Sequence, residues 1–309
     1  MRPAARVGAF AALLVVVFAG AALAGDRIDP DVDDSAGHEA DGKATEGMYT
    51  HTETQASSDE RAGAAPAASL PGLAVAQDGY RLELGETRLE PGAGTELSFR
   101  IADEDGSTVE DFDLEHERRM HLIVVRRDFA GFKHLHPEQA SDGSWSVALG
   151  PTLPGVHRVF ADFSSGGASV TPAADLFVPG DFVPEALPEP ALTADAGDGY
   201  EVEIEAGDLH AGETAPVRFV VSRDGRELDG VEPYLGADGH LVALREGDQA
   251  FLHTHPEGEP GGTGPIAFSV SYPSAGRYRL FLQFRHGGEV RTAAFTQTVE
   301  PAGSDGSGQ

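Results

Sequence analysis

The chain repeats itself with a period near 120 residues, and this repeat constrains its architecture more than any other feature. The segment DGYRLEL (residues 78–84) matches DGYEVEI (residues 198–204), 120 positions later. Further along, LPGVHRVFADF (residues 153–163) matches SAGRYRLFLQF (residues 274–284), 121 positions later. Short insertions explain the small drift in spacing. A chain of 309 residues is long enough for two ordinary domains, so the repeat predicts two copies of one fold.

Each copy has the sequence pattern of β-strands. Runs of four to eight residues, such as YRLELGET, TELSFRI and HRVFADF, often alternate polar and apolar residues. Turn clusters rich in Gly, Pro and Asp separate these runs. No long stretch keeps the 3.6-residue period of a helix. About seven short strands in about 100 residues are typical of an immunoglobulin-like or cupredoxin-like β-sandwich. We therefore predict an all-β chain of two tandem sandwiches, at residues 73–180 and 193–300, each with its own core and joined by a Pro-rich linker at 181–192.

The first 72 residues lie outside both copies. Arg2 and Arg6 precede an uncharged apolar run at residues 7–24 that ends in Ala-Leu-Ala. This layout is typical of an export signal, yet 18 residues also suffice to span a bilayer, so residues 1–24 are either a cleaved signal peptide or a retained membrane anchor. Both interpretations place the folded part outside the cytoplasm, secreted or anchored to the cell membrane. Residues 25–72 are acidic and poor in aromatic residues, and we predict a disordered spacer there.

The composition excludes several classes of protein. The chain has no cysteine, which rules out disulfides, thiolate metal ligands and a blue-copper site with its usual cysteine ligand. The net charge of −29 comes without a basic patch, so nucleic acid is not an expected partner. We interpret the acidity as a solvated surface that keeps the protein soluble. The Gly- and Ser-rich tail at residues 301–309 is expected to be disordered.

A set of three histidines occurs once in each copy and is the strongest candidate for a functional site. The segments HLIVVRRDFAGFKHLHP (residues 121–137) and HLVALREGDQAFLHTHP (residues 240–256) share only 7 of 17 positions, yet all three histidines and the following proline are kept. Six residues are therefore candidate metal ligands: His121, His134 and His136 in the first copy, and His240, His253 and His255 in the second.

We interpret each histidine segment as two antiparallel strands joined by a six-residue loop. In the first copy Val125 then lies opposite Phe132, which places His121 opposite His136 and His134 one step further along. All three imidazoles share one face at the open end of the hairpin. The second copy has a loop of the same length and predicts the same arrangement. Both faces are apolar; the aromatic residue beside the histidines favours a core face with the imidazoles at its rim.

Three neutral imidazoles that converge beside an apolar core suit Cu(II) or Zn(II). We predict one three-histidine site in each copy, with copper as the expected ion and zinc as the alternative. The sequence does not assign a fourth ligand, for which Glu138, Glu257 and Asp162 are candidates. Strand parity predicts that His116 and Met120 point away from the site. A purely structural role, with the histidines hydrogen-bonded across a sheet, is the competing interpretation.

The paired segments also resemble a known family. The patterns MHLIVVRRD…HLHP…RVFADF and GHLVALREGD…HTHP…YRLFLQF are similar to those of actinobacterial exported or membrane-anchored proteins, described as uncharacterised secreted proteins or heavy-metal-binding-domain proteins. The resemblance covers about residues 73–299. It implies a role in handling copper or another heavy metal outside the membrane.

Together these features predict a non-enzymatic, extracytoplasmic metal-binding protein that sequesters or delivers copper or zinc. Its expected partners are the metal ion and a membrane metal transporter, and the membrane itself if the N-terminal segment is retained. No dedicated nucleophile or paired acid lies beside the histidines in the sequence, which argues against an enzyme. The alternative is an immunoglobulin-like adhesion or partner-binding protein. The ordinary histidine pKa predicts that metal binding weakens below about pH 6.5.

Overall fold

Two antiparallel β-sandwiches make up the part of the chain that the structure describes, residues 70–90 and 95–303 of a computed structural model. These residues belong to one compact unit, in which the two copies contact each other. Within the described ranges every regular element is a strand, and no helix there is long and apolar enough to cross a membrane. The predicted signal or anchor at 1–24, nearly all of the spacer at 25–72 and the last six residues of the tail lie outside the described residues.

The first copy is a two-sheet sandwich. Its strands within the described residues are β1 (Ala76–Gln77), β2 (Tyr80–Leu84), β3 (Glu96–Ala102), β4 (His121–Arg126), β5 (Lys133–Leu135), β6 (Glu138–Gln139), β7 (Trp145–Ala148), β8 (Gly155–Ser165), β9 (Ala168–Val170) and β10 (Ala173–Val178). One sheet has the order β1-β2-β3-β7-β6, and the other has the order β10-β8-β4-β5, with β9 paired to β8.

The second copy has the same two-sheet plan. Its strands are β11 (Thr193–Gly197), β12 (Tyr200–Ala206), β13 (Thr214–Arg223), β14 (Arg226–Glu227), β15 (His240–Arg245), β16 (Phe251–Leu252), β17 (Thr254–Glu257), β18 (Ile266–Ser271), β19 (Gly276–His286) and β20 (Glu289–Val299). The sheets are β11-β12-β13-β18-β17, with β14 on β13, and β16-β15-β19-β20. The prediction of two tandem immunoglobulin-like sandwiches is confirmed.

Each copy buries its own core, as the strand alternation predicts. In β3 the side chains of Leu97, Phe99 and Ile101 are buried, while the intervening residues face outward. Trp145 packs between two rings of that core, with its centroid 6.4 Å from Phe99 and 5.1 Å from Phe112. Aromatic contacts of this kind stabilise a fold by about 0.5–1.5 kcal/mol beyond the area they bury.

The histidine-bearing strands β4 and β15 are buried on both faces. In β4, Leu122 and Val124 point into the core of the first copy, whereas Ile123 and Val125 point into a separate cluster. That cluster is shared between the copies and consists of Ile123, Val125, Phe129, Phe160, Ala173, Val242, Leu244, Phe251 and Phe281. The histidine face is therefore a core face, as expected, but the core lies between the two sandwiches.

The shared core has approximate two-fold symmetry. The Phe132 ring stacks on Phe281 with centroids 4.0 Å apart, and the Phe251 ring lies 5.7 Å from Phe160. In the repeat, Phe132 corresponds to Phe251 and Phe160 corresponds to Phe281, so the two contacts are the same contact made in both directions. Such reciprocity is the signature of an isologous interface.

The Pro-rich linker helps to hold the two sandwiches together. Arg126, buried at the end of β4, forms ion pairs with Asp128 (2.7 Å) and with Glu185 of the linker (3.0 Å). Asp128 Oδ2 also accepts a hydrogen bond from the Glu185 amide at 2.8 Å. Across the interface, Gln249 Nε2 donates to the Arg126 carbonyl at 2.9 Å. These contacts fix the relative position of the histidine strands.

Candidate metal centre

The hairpin of β4 and β5 has the register that its loop length predicts. Ile123 lies opposite His134, and the adjacent pairs, Leu122 with Leu135 and Val124 with Lys133, keep the same register. His121 opens β4, and its Nδ1 lies 3.0 Å from His134 Nε2. The predicted convergence of the first copy's histidines is thus present.

The third imidazole of the cluster comes from the other copy. Ligand atoms of His121, His134 and His240 all lie within 4.8 Å of one another. The His240 ring stacks on His121 with centroids 5.2 Å apart and planes 9° apart, and its centroid is 4.5 Å from that of His134. We expected one site within each copy. The structure instead builds a composite cluster across the interface.

Two further histidines surround this trio. The His136 ring lies 4.9 Å from His134 and 5.2 Å from His121, and its Nε2 is buried without a hydrogen-bond partner among the described residues. The His116 ring lies 6.1 Å from His121 and 5.7 Å from His240. Five imidazoles from two copies therefore occupy one region.

The expectation that His116 points away was wrong. His116 and Glu117 have φ values of 46° and 62°, and Glu115 bridges to Arg118, so the chain makes a tight turn just before β4. Strand parity does not apply to a turn, and the turn directs the imidazole back to the cluster. Met120 does follow the prediction and packs in the core of the first copy.

The second copy departs from the predicted hairpin after two residue pairs. Leu244 lies opposite Phe251 and Ala243 opposite Leu252, as the loop length predicts. The chain then crosses to the other sheet, where His255 pairs with Ser269 instead of His240. Thr254 Oγ1 donates to the Leu241 carbonyl at 2.8 Å, which satisfies this carbonyl where the first copy continues its strand through Leu135.

This early crossover separates the predicted ligands of the second copy. His253 and His255 are exposed and do not join the trio. The proposed opposition of His240 and His255 is therefore wrong. The two carboxylates that follow the prolines, Glu138 and Glu257, are also exposed, and Glu257 accepts a hydrogen bond from Ser269 Oγ.

The outer nitrogens of the trio have partners that orient the rings. His134 Nδ1 lies 2.6 Å from Gln283 Oε1, and Gln283 Nε2 in turn donates to Thr292 Oγ1 at 3.3 Å. His121 Nε2 lies 3.3 Å from the Glu115 carbonyl oxygen. The Gln283 oxygen only accepts, so His134 Nδ1 carries the proton of that neutral ring. His121 can carry its proton either on Nε2, towards the Glu115 carbonyl, or on Nδ1, towards His134. With the proton on Nε2, the inner nitrogens His121 Nδ1 and His134 Nε2 are left with lone pairs that face each other.

Burial keeps the cluster neutral. It lowers the pKa of His121 to about 4 and, together with the neighbouring imidazoles, the pKa of His134 to about 3. Burial likewise lowers the pKa of His136 to about 4, and it holds the pKa of His240 well below its ordinary value. Neutral imidazole is the form that binds metals.

A cavity of about 290 Å³ lies next to the trio, on the side of the second copy. Its chemically active lining residues are Glu115, His116, Asp162, His240, His253 and His255. Asp162 lies in β8 directly opposite His121, as Gln283 lies in β19 directly opposite His240. Thr171 Oγ1 donates to Asp162 Oδ1 at 2.8 Å.

Comparison with solved structures gives only weak similarities. A Salmonella alpha-2-macroglobulin variant is 18% identical (TM-score 0.26; 76% of this chain, 15% of that one), and the Escherichia coli adhesin FdeC is 16% identical (TM-score 0.24; 77% and 66%). The bacterial integrin-binding protein invasin is 14% identical (TM-score 0.24; 74% and 41%). This chain thus spans less than two thirds of each, and the fold assignment rests on its own sheets. No curated protein gives a significant match.

A family model described as a domain of unknown function, DUF8832, matches the chain twice. The matched segments are residues 74–180 and 194–301, which together make up more than half of the sequence. They coincide with the two sandwiches that share the histidine cluster. The chain therefore belongs to the DUF8832 family and contains two tandem copies of its domain.

Proposed function

We propose that the protein binds one transition-metal ion between its two copies, with His121, His134 and His240 as ligands. The observation that supports this most directly is the 3.0 Å separation of His121 Nδ1 and His134 Nε2. Two nitrogens bound at ~2.0–2.1 Å to one ion lie about 2.9–3.4 Å apart when their angle at the metal is 90–109°. The spacing therefore fits two ligands of a common ion.

One placement of the ring protons favours a cation at this point. With both outer nitrogens donating, the facing lone pairs of His121 and His134 repel each other unless a proton or a cation lies between them. Burial disfavours the protonated rings, as the lowered pKa values show. A metal ion removes the conflict without protonating either ring.

The donor set favours copper, with zinc as the alternative. Imidazole ligands suit Cu(II) and Zn(II), and this chain has no thiolate to offer. A small shift of His136, whose Nε2 is buried and without a partner among the described residues, would supply a fourth nitrogen. Gln283 on His134 is the kind of outer-shell contact that fixes the orientation of a ligating imidazole.

The cellular role that we propose is sequestration or delivery of the ion outside the cytoplasm. Arg2, Arg6 and the apolar run at 7–24 are typical of an export signal or anchor, which would place the two copies at the cell exterior. The resemblance to heavy-metal-binding-domain proteins supports the same role. A membrane metal transporter is the proposed donor or acceptor of the ion.

The test is metal retention by the untagged full-length protein. We expect Cu(II) to remain bound after desalting with one equivalent in the three-histidine centre, and Zn(II) to be held less tightly. Either His134→Ala or His240→Ala should remove that equivalent, because each copy supplies part of the site. His210→Ala, at a half-buried histidine near the start of the second copy and outside the trio, should change nothing.

Two results would contradict the proposal. If the parent protein retains no Cu(II) or Zn(II), the histidines are structural, and this result favours the partner-binding interpretation. If His240→Ala keeps the full equivalent, the ion is not held between the copies.

A further inference from the structure

We propose that the cavity beside His240 is a second metal site, built from Asp162 and His253 with His116 at its wall. Its donors are mixed carboxylate and imidazole, so it should accept a borderline divalent ion such as Zn(II) and reject Cu(I). This inference goes beyond the proposed function, because the second site does not require an ion in the three-histidine centre.

The approximate two-fold symmetry places Asp162 in a defined role. Gln283 extends from the second copy to His134 of the first. In the repeat, Asp162 corresponds to Gln283 and His253 corresponds to His134. Asp162 and His253 therefore hold the positions that correspond to the Gln283–His134 pair, and both residues line the same cavity. The candidate fourth ligand of the first copy thus serves the second.

The environment of Asp162 calls for a cation. Its carboxyl accepts a hydrogen bond from Thr171, and no Arg or Lys forms an ion pair with it anywhere in residues 70–90 and 95–303. A carboxylate in such a place is stable when it pairs with a cation or coordinates a metal.

Further side chains that can bind a metal line the cavity. Glu115 adds a second carboxylate, and His116 and His240 bring imidazoles to the wall. Neutral Gln283 takes the place of Asp162 in the three-histidine centre, so a formal negative charge distinguishes the two sites. That charge favours divalent over monovalent ions.

Exposure distinguishes the two sites further. The trio is enclosed by both copies, whereas His253 and His255 are exposed at the cavity mouth. An ion at the second site can therefore exchange with solvent without separating the sandwiches. We expect the second site to bind more weakly and to exchange faster than the centre.

The experiment is equilibrium dialysis of the full-length protein against Zn(II), followed by metal analysis across a range of free ion. We expect two equivalents in the parent protein. Asp162→Asn and His253→Asn should each raise the dissociation constant of the second Zn(II) equivalent at least tenfold. Neither variant should change the binding of the first equivalent, at the three-histidine centre. His134→Ala should abolish binding of the first equivalent at the three-histidine centre and leave binding of the second unchanged. Glu138→Gln removes one exposed carboxylate next to the first HxHP segment and should keep both.

The variants separate failure of this inference from failure of the proposed function. Two equivalents retained in both Asp162→Asn and His253→Asn, or a parent that never binds more than one, would overturn the second site alone. No effect of His134→Ala would overturn the three-histidine centre alone. Because Asp162 is half-buried, its variant is checked for folding by circular dichroism. If that check fails, the variant of the exposed His253 provides the test. Binding of a second Cu(I) equivalent would overturn the assigned donor chemistry.

Discussion

His121 and His240 occupy equivalent positions in the two copies, and their rings stack across the interface with centroids 5.2 Å apart. Each opens the central histidine strand of its own sandwich. The pair therefore lies close to the approximate two-fold axis of the shared core. Symmetry that brings one residue type together from two copies concentrates imidazoles at that axis, and His134 then completes the cluster from one side.

Gln283→Leu should weaken metal binding at the centre about 10–100-fold, because His134 loses the acceptor that orients its ring. The dissociation constant for Cu(II), measured by competition with a chelator, checks this. Gln139→Leu is the matched control, since Gln139 bonds only to the Glu110 carbonyl at an exposed site. Equal affinity in parent and Gln283→Leu would show that this contact does not orient a ligand.

Phe281→Ala should destabilise the protein by about 3–5 kcal/mol and weaken metal binding together. Phe281 is buried in the shared core and stacks on Phe132 at 4.0 Å, so its loss opens a cavity next to the cluster. Urea unfolding and the Cu(II) dissociation constant are the two measurements. Leu114→Ala, at a side chain that is 70% exposed, should change neither. Lost stability with unchanged affinity would mean that the centre does not depend on the interface.

His157→Phe should make the protein less sensitive to acid. His157 is fully buried, neither ring nitrogen has a hydrogen-bond partner in the described part of the chain, and burial lowers its pKa to about 4. The unfolded chain takes up a proton near pH 6.5 and the folded one does not, so stability is complete above that pH and falls as the pH drops towards 4.

Removing this residue's contribution should reduce the loss of unfolding free energy between pH 7 and pH 5 by about 2 kcal/mol. Urea titrations at the two pH values measure it, with His210→Phe, at a half-buried histidine, as the control. The same pH dependence in parent and His157→Phe would contradict the buried neutral histidine. The equivalent residue of the second copy, Tyr278, donates its hydroxyl to the Ser274 carbonyl and shows that an aromatic ring fits here.

Metal binding at the centre should resist acid further than an ordinary histidine site. Protons compete with the ion only when the free imidazoles can take them up, and the pKa values of His121 and His134 are lowered to about 4 and about 3. We expect little change in affinity from pH 7 to pH 5 and a steep loss below about pH 4. A short HLHP peptide, with ordinary pKa values, should lose its metal below about pH 6.5. A tenfold loss in the protein between pH 7 and pH 5.5 would contradict the burial argument.

The sequence predicts the local structure of the first hairpin because loop length and alternation determine an antiparallel register. Six loop residues place Ile123 opposite His134. The same reasoning fails in the second copy at His253, because a threonine hydroxyl replaces a backbone bond there and lets the strand cross early. A single Leu-to-Thr difference between the copies gives no signal of that kind in a hydrophobic pattern.

The composite nature of the site could not be read from either segment alone. Both faces of β4 are apolar, so the pattern predicts double burial but does not say which face meets its own sandwich and which meets the other copy. The position of His116 depends on two residues with positive φ in a turn, which strand alternation does not describe. Contacts between the two copies depend on how their folded surfaces fit together, and a linear sequence pattern does not describe that fit.

The reciprocal core has an evolutionary consequence. A single domain with this face would associate as a symmetric homodimer, and such a dimer must carry the same side chain at both equivalent positions. Joining two domains in one chain removes that restriction. The equivalent positions of Asp162 and Gln283, and of His157 and Tyr278, carry different side chains in the two copies. Two linked copies can thus hold two pockets of different chemistry, which a homodimer of identical subunits cannot do.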